Sequence, residues 1–157
     1  MKPNVQIREA LPQEDWIIAE HFYRMWLDNN VLAESIEPNW QQITLEFIAQ
    51  ARHNLYYKAF VAEIEKQVIG STSCQLFAGL YPDILKAEYR NYGYIWGVYI
   101  EPDYRKQGIG KSITKIAVDY LKSIGCTRAI LNASPLGKTV YSGLGFSISN
   151  AMQLDLI

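Results

Sequence analysis

The sequence predicts an α/β fold of the mixed, α+β kind: one mostly antiparallel sheet flanked by about four helices. Three observations predict it. Strand-like and helix-like segments alternate in the order β-α-α-β-β-β-α-β-α-β-β along 157 residues. The runs Ala59–Ile64 and Gln67–Gln75 are separated only by Glu65 and Lys66, and so short a connection makes an antiparallel hairpin. The glycine-bearing loop Asp103–Ser112 joins an apolar strand to an amphipathic helix, the start of a crossover to a parallel neighbour.

Val5–Arg8 alternates and reads as the first strand. A helix then runs from about Leu11 to Asn29, with Trp16, Ala19, Phe22, Tyr23 and Trp26 on one face. After a loop holding Glu34 and Glu37, a second helix covers about Trp40–Arg52, with Ile43, Phe47, Ile48 and Ala51 at helical spacing. The hairpin follows, then a loop over residues 78–88 punctuated by Gly79 and Pro82. Tyr92–Ile100 is the next strand, and Gly97 inside it signals a bulge or a close backbone approach. The third helix, Lys111–Ile124, is capped by Gly125. Arg128–Ala133 is a short strand. Ser134-Pro135 reads as N-cap and first helical residue of a short helix ending near Gly143. Phe146–Ile148 and Met152–Leu156 are expected to close the sheet.

The length suits one domain covering residues 1–157, burying roughly 70% of its unfolded surface. A 49% apolar share supplies a core, and a net charge of −1 with no basic run argues against nucleic acid as a partner. No apolar stretch reaches about 18 residues, so no membrane span is expected. The N-terminus lacks a signal-peptide core. Cys74 and Cys126 form no disulfide framework, and with His21 and His53 as the only histidines no metal site is expected. A reducing, cytoplasmic setting fits this usage.

The loop is where chemistry is legible. Gly108 and Gly110 let backbone N–H groups approach an anion, and the following helix start adds partial positive charge. A dinucleotide-binding G-x-G-x-x-G fails because Ile113 stands at the third glycine. A nucleoside-triphosphate P-loop matches Gly110-Lys111-Ser112 but has Arg105 where its first glycine belongs. The pattern (R/Q)-x-x-G-x-(G/A) is met throughout by Arg105-Lys106-Gln107-Gly108-Ile109-Gly110.

With Val98–Tyr104 upstream and Leu131–Phe146 downstream, this loop resembles the GCN5-related N-acetyltransferase (GNAT) superfamily over residues 92–146. The resemblance implies a GNAT-like acyl-CoA N-acyltransferase fold and acetyl-CoA (coenzyme A) as cosubstrate, with no metal. It implies that the loop Arg105, Lys106, Gln107, Gly108, Ile109, Gly110 holds the diphosphate. Lys106, Lys111 and Lys138 are candidates for the outer phosphate. Backbone groups of Val98, Tyr99 and Ile100 would pair with the pantetheine arm as an added strand, and the Val98 N–H would polarise the thioester carbonyl. Asn132, at the end of the adjoining strand, is a cofactor contact or a turn residue. Tyr141, in the Y-x-x-x-G-F segment Tyr141–Phe146, would hand a proton to the departing sulfur.

An alkylamine must lose a proton, at a cost of roughly 4–5 kcal/mol at pH 7. The family often carries a carboxylate on the central strand for this step, whereas Tyr92–Ile100 has none. Glu34, Glu37, Asp83, Glu88 and Glu101 are candidates from loops, and an aromatic pocket that lowers the amine's own pKa is the alternative. Phe22, Trp26, Tyr94 and Trp96 are expected to line the acceptor pocket or to fill core. Direct attack by a small-molecule or peptide amine within a ternary complex is preferred over an acyl-cysteine. A non-catalytic acyl-CoA-binding module on the same scaffold is the alternative. The final apolar strand is a candidate surface for pairing with a second copy of the chain.

Overall fold

Glu65 and Lys66 both take left-handed backbone angles (φ 48° and 67°), the geometry of a two-residue hairpin turn. They fold β2 (Lys58–Ile64) onto β3 (Gln67–Leu76) in the computed structural model, which describes residues 4–157. The five-stranded sheet is ordered β1-β2-β3-β4-β5, with β1 at Gln6–Glu9, β4 at Tyr92–Ile100 and β5 at Arg128–Ile130. Neighbours are antiparallel except β4 and β5, which are parallel. The helices are α1 (Asp15–Asp28), α2 (Trp40–Asn54), α3 (Ile109–Ser123) and α4 (Lys138–Ser142).

Alternation along β2 sorts the core into two layers. Ala59 and Val61 pack with Ile18 of α1 and Ile48 and Ala51 of α2. Phe60 and Ala62 pack with Ile109, Ile113, Ala117 and Leu121 of α3. A Cβ on Gly93 would stand 2.6 Å from a Leu121 methyl, so α3 seats close upon β4. That seating fixes the N-terminus of α3 beyond the end of β4. On the opposite face, β3 presents Ser71, Ser73 and Gln75, all buried. Each has a partner: Ser71 with His21 Nδ1 at 2.6 Å, Ser73 with the Tyr57 hydroxyl at 2.8 Å, and Gln75 accepting from Trp96 Nε1 at 2.9 Å. Burial of these polar groups costs little because each is satisfied.

Several expectations need correction. The two closing strands do not form: nothing after α4 joins the sheet, and Ile148, Met152, Leu154 and Leu156 are almost wholly exposed. Alternation marks which face of a strand wants burial, but a strand also needs a ladder partner. β5 is shorter than Arg128–Ala133, because its pairing with β4 stops at Ile130. The last helix starts at Lys138, after a turn in which Gly137 N–H donates to Ser134 O, so Ser134 is not its cap. Helix faces are also rotated. α1 buries Ile18, Ala19 and His21, while Trp16 and Trp26 are exposed.

Candidate active site

β4 and β5 pair at Tyr92↔Arg128, Gly93↔Ala129 and Tyr94↔Ile130, then part. From Ile95 onward the outer edge of β4 has no strand beside it. This fork is where an extended ligand can add itself as a strand. Opposite, Ser71 pairs with Tyr99 and Ser73 with Trp96, so Gly97 and Val98 together face Thr72 alone. That extra residue is a β-bulge, made possible by Gly97 at φ 66°. The Phe22 ring lies 3.6 Å from where a Gly97 Cβ would stand, so α1 roofs the bulge.

At the far end of β4 the chain turns into α3. Gly108 takes φ 81° as N-cap, and the first bond of the helix runs from Ser112 N–H to Gly108 O. The N–H groups of Gly108, Ile109, Gly110 and Lys111 therefore lack intrahelical acceptors. A Cβ on Gly108 would meet nothing within 4 Å, so the approach to these donors is open. The result is a concave set of donors at a helix N-terminus, suited to an oxyanion. Lys106 and Lys111 are exposed nearby, Lys138 opens α4, and Lys111 Nζ reaches to the end of α4 beside Gly143.

Arg105 holds the loop rather than pointing freely from it. Its Nε donates to Ile100 O at 2.7 Å, its Nη2 to Asp28 Oδ2 at 2.6 Å, and its guanidinium lies over the Tyr99 ring. Tyr141 is half-buried on α4, which lies against α3. Its carbonyl accepts from Phe146 N–H at 3.0 Å, and the two rings meet edge to face. Burial pushes the Tyr141 hydroxyl pKa up, so the proton stays on through neutral pH.

The four expected acceptor-lining residues divide. Phe22, Trp26 and Trp96 come together, with Phe22 at 6.0 Å from Trp26 and 5.0 Å from Trp96 between ring centres. Trp96 is also packed by Phe47 and Tyr57, so much of its role is core. Tyr94 lies apart from them, against Phe77. Its hydroxyl accepts from Asn132 Nδ2 at 2.9 Å across the base of the fork.

Neither β4 nor β5 carries a carboxylate. Of the loop acids, Glu101 is held by Arg24 at 3.1 Å and lies 3.5 Å from His21 Nε2. Glu34, Glu37, Asp83 and Glu88 are exposed. Both cysteines are free, and burial raises the Cys74 thiol to about 12 and that of Cys126 in the same direction. Neither thiol is an activated nucleophile. Among the described residues no group of His, Cys, Asp or Glu could hold a metal, and no helix is long and apolar enough to cross a membrane.

Sequence reasoning missed three supports of this region: His21, Arg24 and Asp28. They recur at i, i+3 and i+7, one stripe of α1, and contact Ser71, Glu101 and Arg105 respectively. The stripe was legible as spacing. The partners, 50 to 77 residues away, were not.

The acetyltransferase (GNAT) family model matches residues 19–146. A glucosamine 6-phosphate N-acetyltransferase of Trypanosoma brucei brucei is 29% identical over 106 residues, 67% of this chain and 69% of that protein. A GCN5-related N-acetyltransferase of Ralstonia eutropha superposes with a TM-score of 0.80 at 18% identity, covering 98% of this chain and 99% of the other. A predicted acetyltransferase of Clostridium acetobutylicum, crystallised with acetyl-CoA, gives 0.77 at 25% identity, covering 98% and 97%. With a bulged β4, an open fork and the R-x-x-G-x-G cradle in the matched segment, the chain belongs to the acetyltransferase (GNAT) family and is an N-acetyltransferase.

Proposed function

We propose that the protein transfers the acetyl group of acetyl-CoA to a primary amine by direct attack within a ternary complex. The observation that carries this reading is the continuity of fork, bulge and cradle along one strand: an edge with no strand beside it from Ile95, its last carbonyl (Ile100) held by Arg105 Nε, leads to the N–H groups of Gly108–Lys111 that lack intrahelical acceptors. The ligand of the Clostridium relative supports the choice of cosubstrate.

In this reading the amides from Gly108 to Lys111 hold the diphosphate, with Gln107 and Lys106 beside them. The open edge of Val98, Tyr99 and Ile100 holds the pantetheine. The Val98 N–H, freed by the bulge, donates to the thioester oxygen, whose negative charge grows as the amine attacks. The C–N bond forms as the C–S bond breaks, Tyr141 O–H passes its proton to the sulfur, and the proton shed by the acylated nitrogen restores the tyrosine through water. The amine's proton leaves to water, because no carboxylate stands on β4 or β5. The Phe22–Trp26–Trp96 wall lowers the amine's pKa by desolvation. The high thiol pKa values support a mechanism without an acyl-cysteine.

The acceptor is a small-molecule or peptide amine. The curated relative acts, by its name, on glucosamine 6-phosphate, so amino sugars belong first in the panel. A second copy of this chain is a further partner in this reading. The exposed alternation Ile148, Met152, Leu154, Leu156 lacks only a strand to pair with. The working place proposed is the reducing cytoplasm, consistent with two free thiols.

The test is thiol release from acetyl-CoA against a panel of amines, together with calorimetry of acetyl-CoA binding. Saturable release with at least one amine supports the reading. Well-folded protein that gives no heat with acetyl-CoA sinks it. Sedimentation of the full chain and of a Leu154→Asp, Leu156→Asp variant tests the dimer; two monomeric species would end that part.

A further inference from the structure

Two cations lie against the ring of Tyr92, the first residue of β4, and one of them also lies against the ring of Tyr81. Arg90 lies 5.4 Å from the Tyr81 ring centre and 4.4 Å from that of Tyr92, and Arg128 lies 5.0 Å from Tyr92. Loop, β4 and β5 each contribute to the stack. Neither guanidinium belongs to an ion pair among the described residues. Tyr81 first, and Asp83 after it, favour the charged form of Arg90.

The stack shares a strand face with the base of the fork. Tyr92 and Tyr94 are two residues apart on β4, Arg128 and Ile130 keep the same parity on β5, and Asn132, two residues past the end of β5, reaches the Tyr94 hydroxyl. That face therefore presents two guanidiniums, a phenol hydroxyl and a carboxamide, and no carboxylate of its own strands. Two cations against one ring repel each other, and an oxyanion bound to the guanidiniums offsets that repulsion. The coenzyme A diphosphate cannot be that anion. Its cradle lies past Ile100, at the opposite end of β4 and about 25 Å from Tyr92. Between the stack and Val98 run about 15–20 Å of strand. Allowing for arginine reach, an acceptor bridging the two carries its anion about 10–15 Å from its amine.

We propose that Arg90 and Arg128, stacked on Tyr92 beside the Tyr94–Asn132 contact, form an oxyanion site that selects acceptors carrying a phosphate or carboxylate remote from the amine. This deepens the N-acetyltransferase reading above and rests on it for the identity of the anion's carrier. The arginine fork supplies paired N–H donors matched to either oxyanion.

Two measurements test it. In the first, kcat/KM is compared for ω-aminoalkyl phosphates of graded length, ω-amino carboxylates and neutral alkylamines, with glucosamine and glucosamine 6-phosphate as a short pair. The wild type should prefer the anionic member of each long pair, and phosphate against carboxylate identifies the natural group. In R90A/R128A the ratio of anionic to neutral kcat/KM should fall about tenfold or more, the usual weight of charge-assisted hydrogen bonds. Equal use of anionic and neutral amines by the wild type, or an unchanged ratio in the variant, overturns the proposal. The second measurement needs no turnover. With the cradle saturated by coenzyme A, inorganic phosphate should shift arginine side-chain resonances in the wild type and not in R90A/R128A. No shift overturns the anion site even if amines are acetylated. A shift without turnover of any amine keeps the site and refutes the transferase reading instead.

Discussion

Asp28 Oδ2 and Arg105 Nη2 are 2.6 Å apart, and this contact ties the end of α1 to the start of the glycine-bearing loop that leads into α3. The pair is open to solvent, so its own worth is at most about 1 kcal/mol. Arg105 also donates to the carbonyl of Ile100, which ends β4. The two substitutions therefore separate. Asp28→Ala should weaken acetyl-CoA binding less than about fivefold. Arg105→Ala leaves the Ile100 carbonyl unpaired and the loop untied, and should weaken binding about tenfold or more. Calorimetry with acetyl-CoA checks both. Equal effects would mean that Arg105 acts through the salt bridge alone.

Tyr141 carries the sulfur's proton in the proposed reaction. Tyr141→Phe keeps the ring against Phe146 and removes the hydroxyl, so acetyl-CoA affinity should hold while turnover falls about 100-fold. Because burial raises the hydroxyl's pKa, the wild-type rate should not decline at high pH until the solution is more alkaline than a free phenol requires. Single-turnover rates across alkaline pH, with an amine of low pKa, check this. An unchanged rate in the Phe variant would remove Tyr141 from the reaction.

What the sequence disclosed about the site was local. Gly97 marked the bulge and Arg105–Gly110 marked the cradle, because backbone geometry at these points admits few residue types. The β2–β3 hairpin was legible for the same reason. Long-range pairings were not. The alternation from Ile148 to Leu156 reads as a strand, yet nothing local says whether a partner edge exists. Helix faces drifted because tryptophans invite assignment to the core; Trp16 is 56% exposed, and His21 takes the buried place. The fork itself depends on where β4 and β5 part, which no short motif records.

His21 is 3% exposed, between Ser71 and Glu101. Burial first, and then the Arg24 cation, lower its pKa from 6.5 to about 4. The unfolded chain therefore takes up the proton before the folded one does. Stability from this group is complete above pH 6.5 and is lost as pH falls toward 4. Between pH 7.5 and pH 5 the loss should be about 2 kcal/mol. His21→Gln should remove that part of the pH dependence while retaining a polar partner for Ser71. Urea titrations of both proteins at the two pH values check it. A wild-type midpoint that does not move would show His21 protonating freely in the fold.

Gly97→Ala tests whether the bulge serves catalysis or merely the sheet. Alanine at φ 66° is strained by about 1 kcal/mol, and its methyl would meet the Phe22 ring at 3.6 Å, an ordinary contact. Stability should therefore fall by only about 1–2 kcal/mol. If strain flattens the bulge, the Val98 N–H turns away from the thioester, and a lost oxyanion donor costs on the order of 100-fold in kcat. Acetyl-CoA should still bind, because the cradle at Gly108–Lys111 lies beyond the far end of β4 and does not depend on Gly97. Thermal unfolding, calorimetry and steady-state rates on one preparation separate these effects. A variant that binds acetyl-CoA normally and turns over at the wild-type rate would deny the bulge any part in polarising the carbonyl.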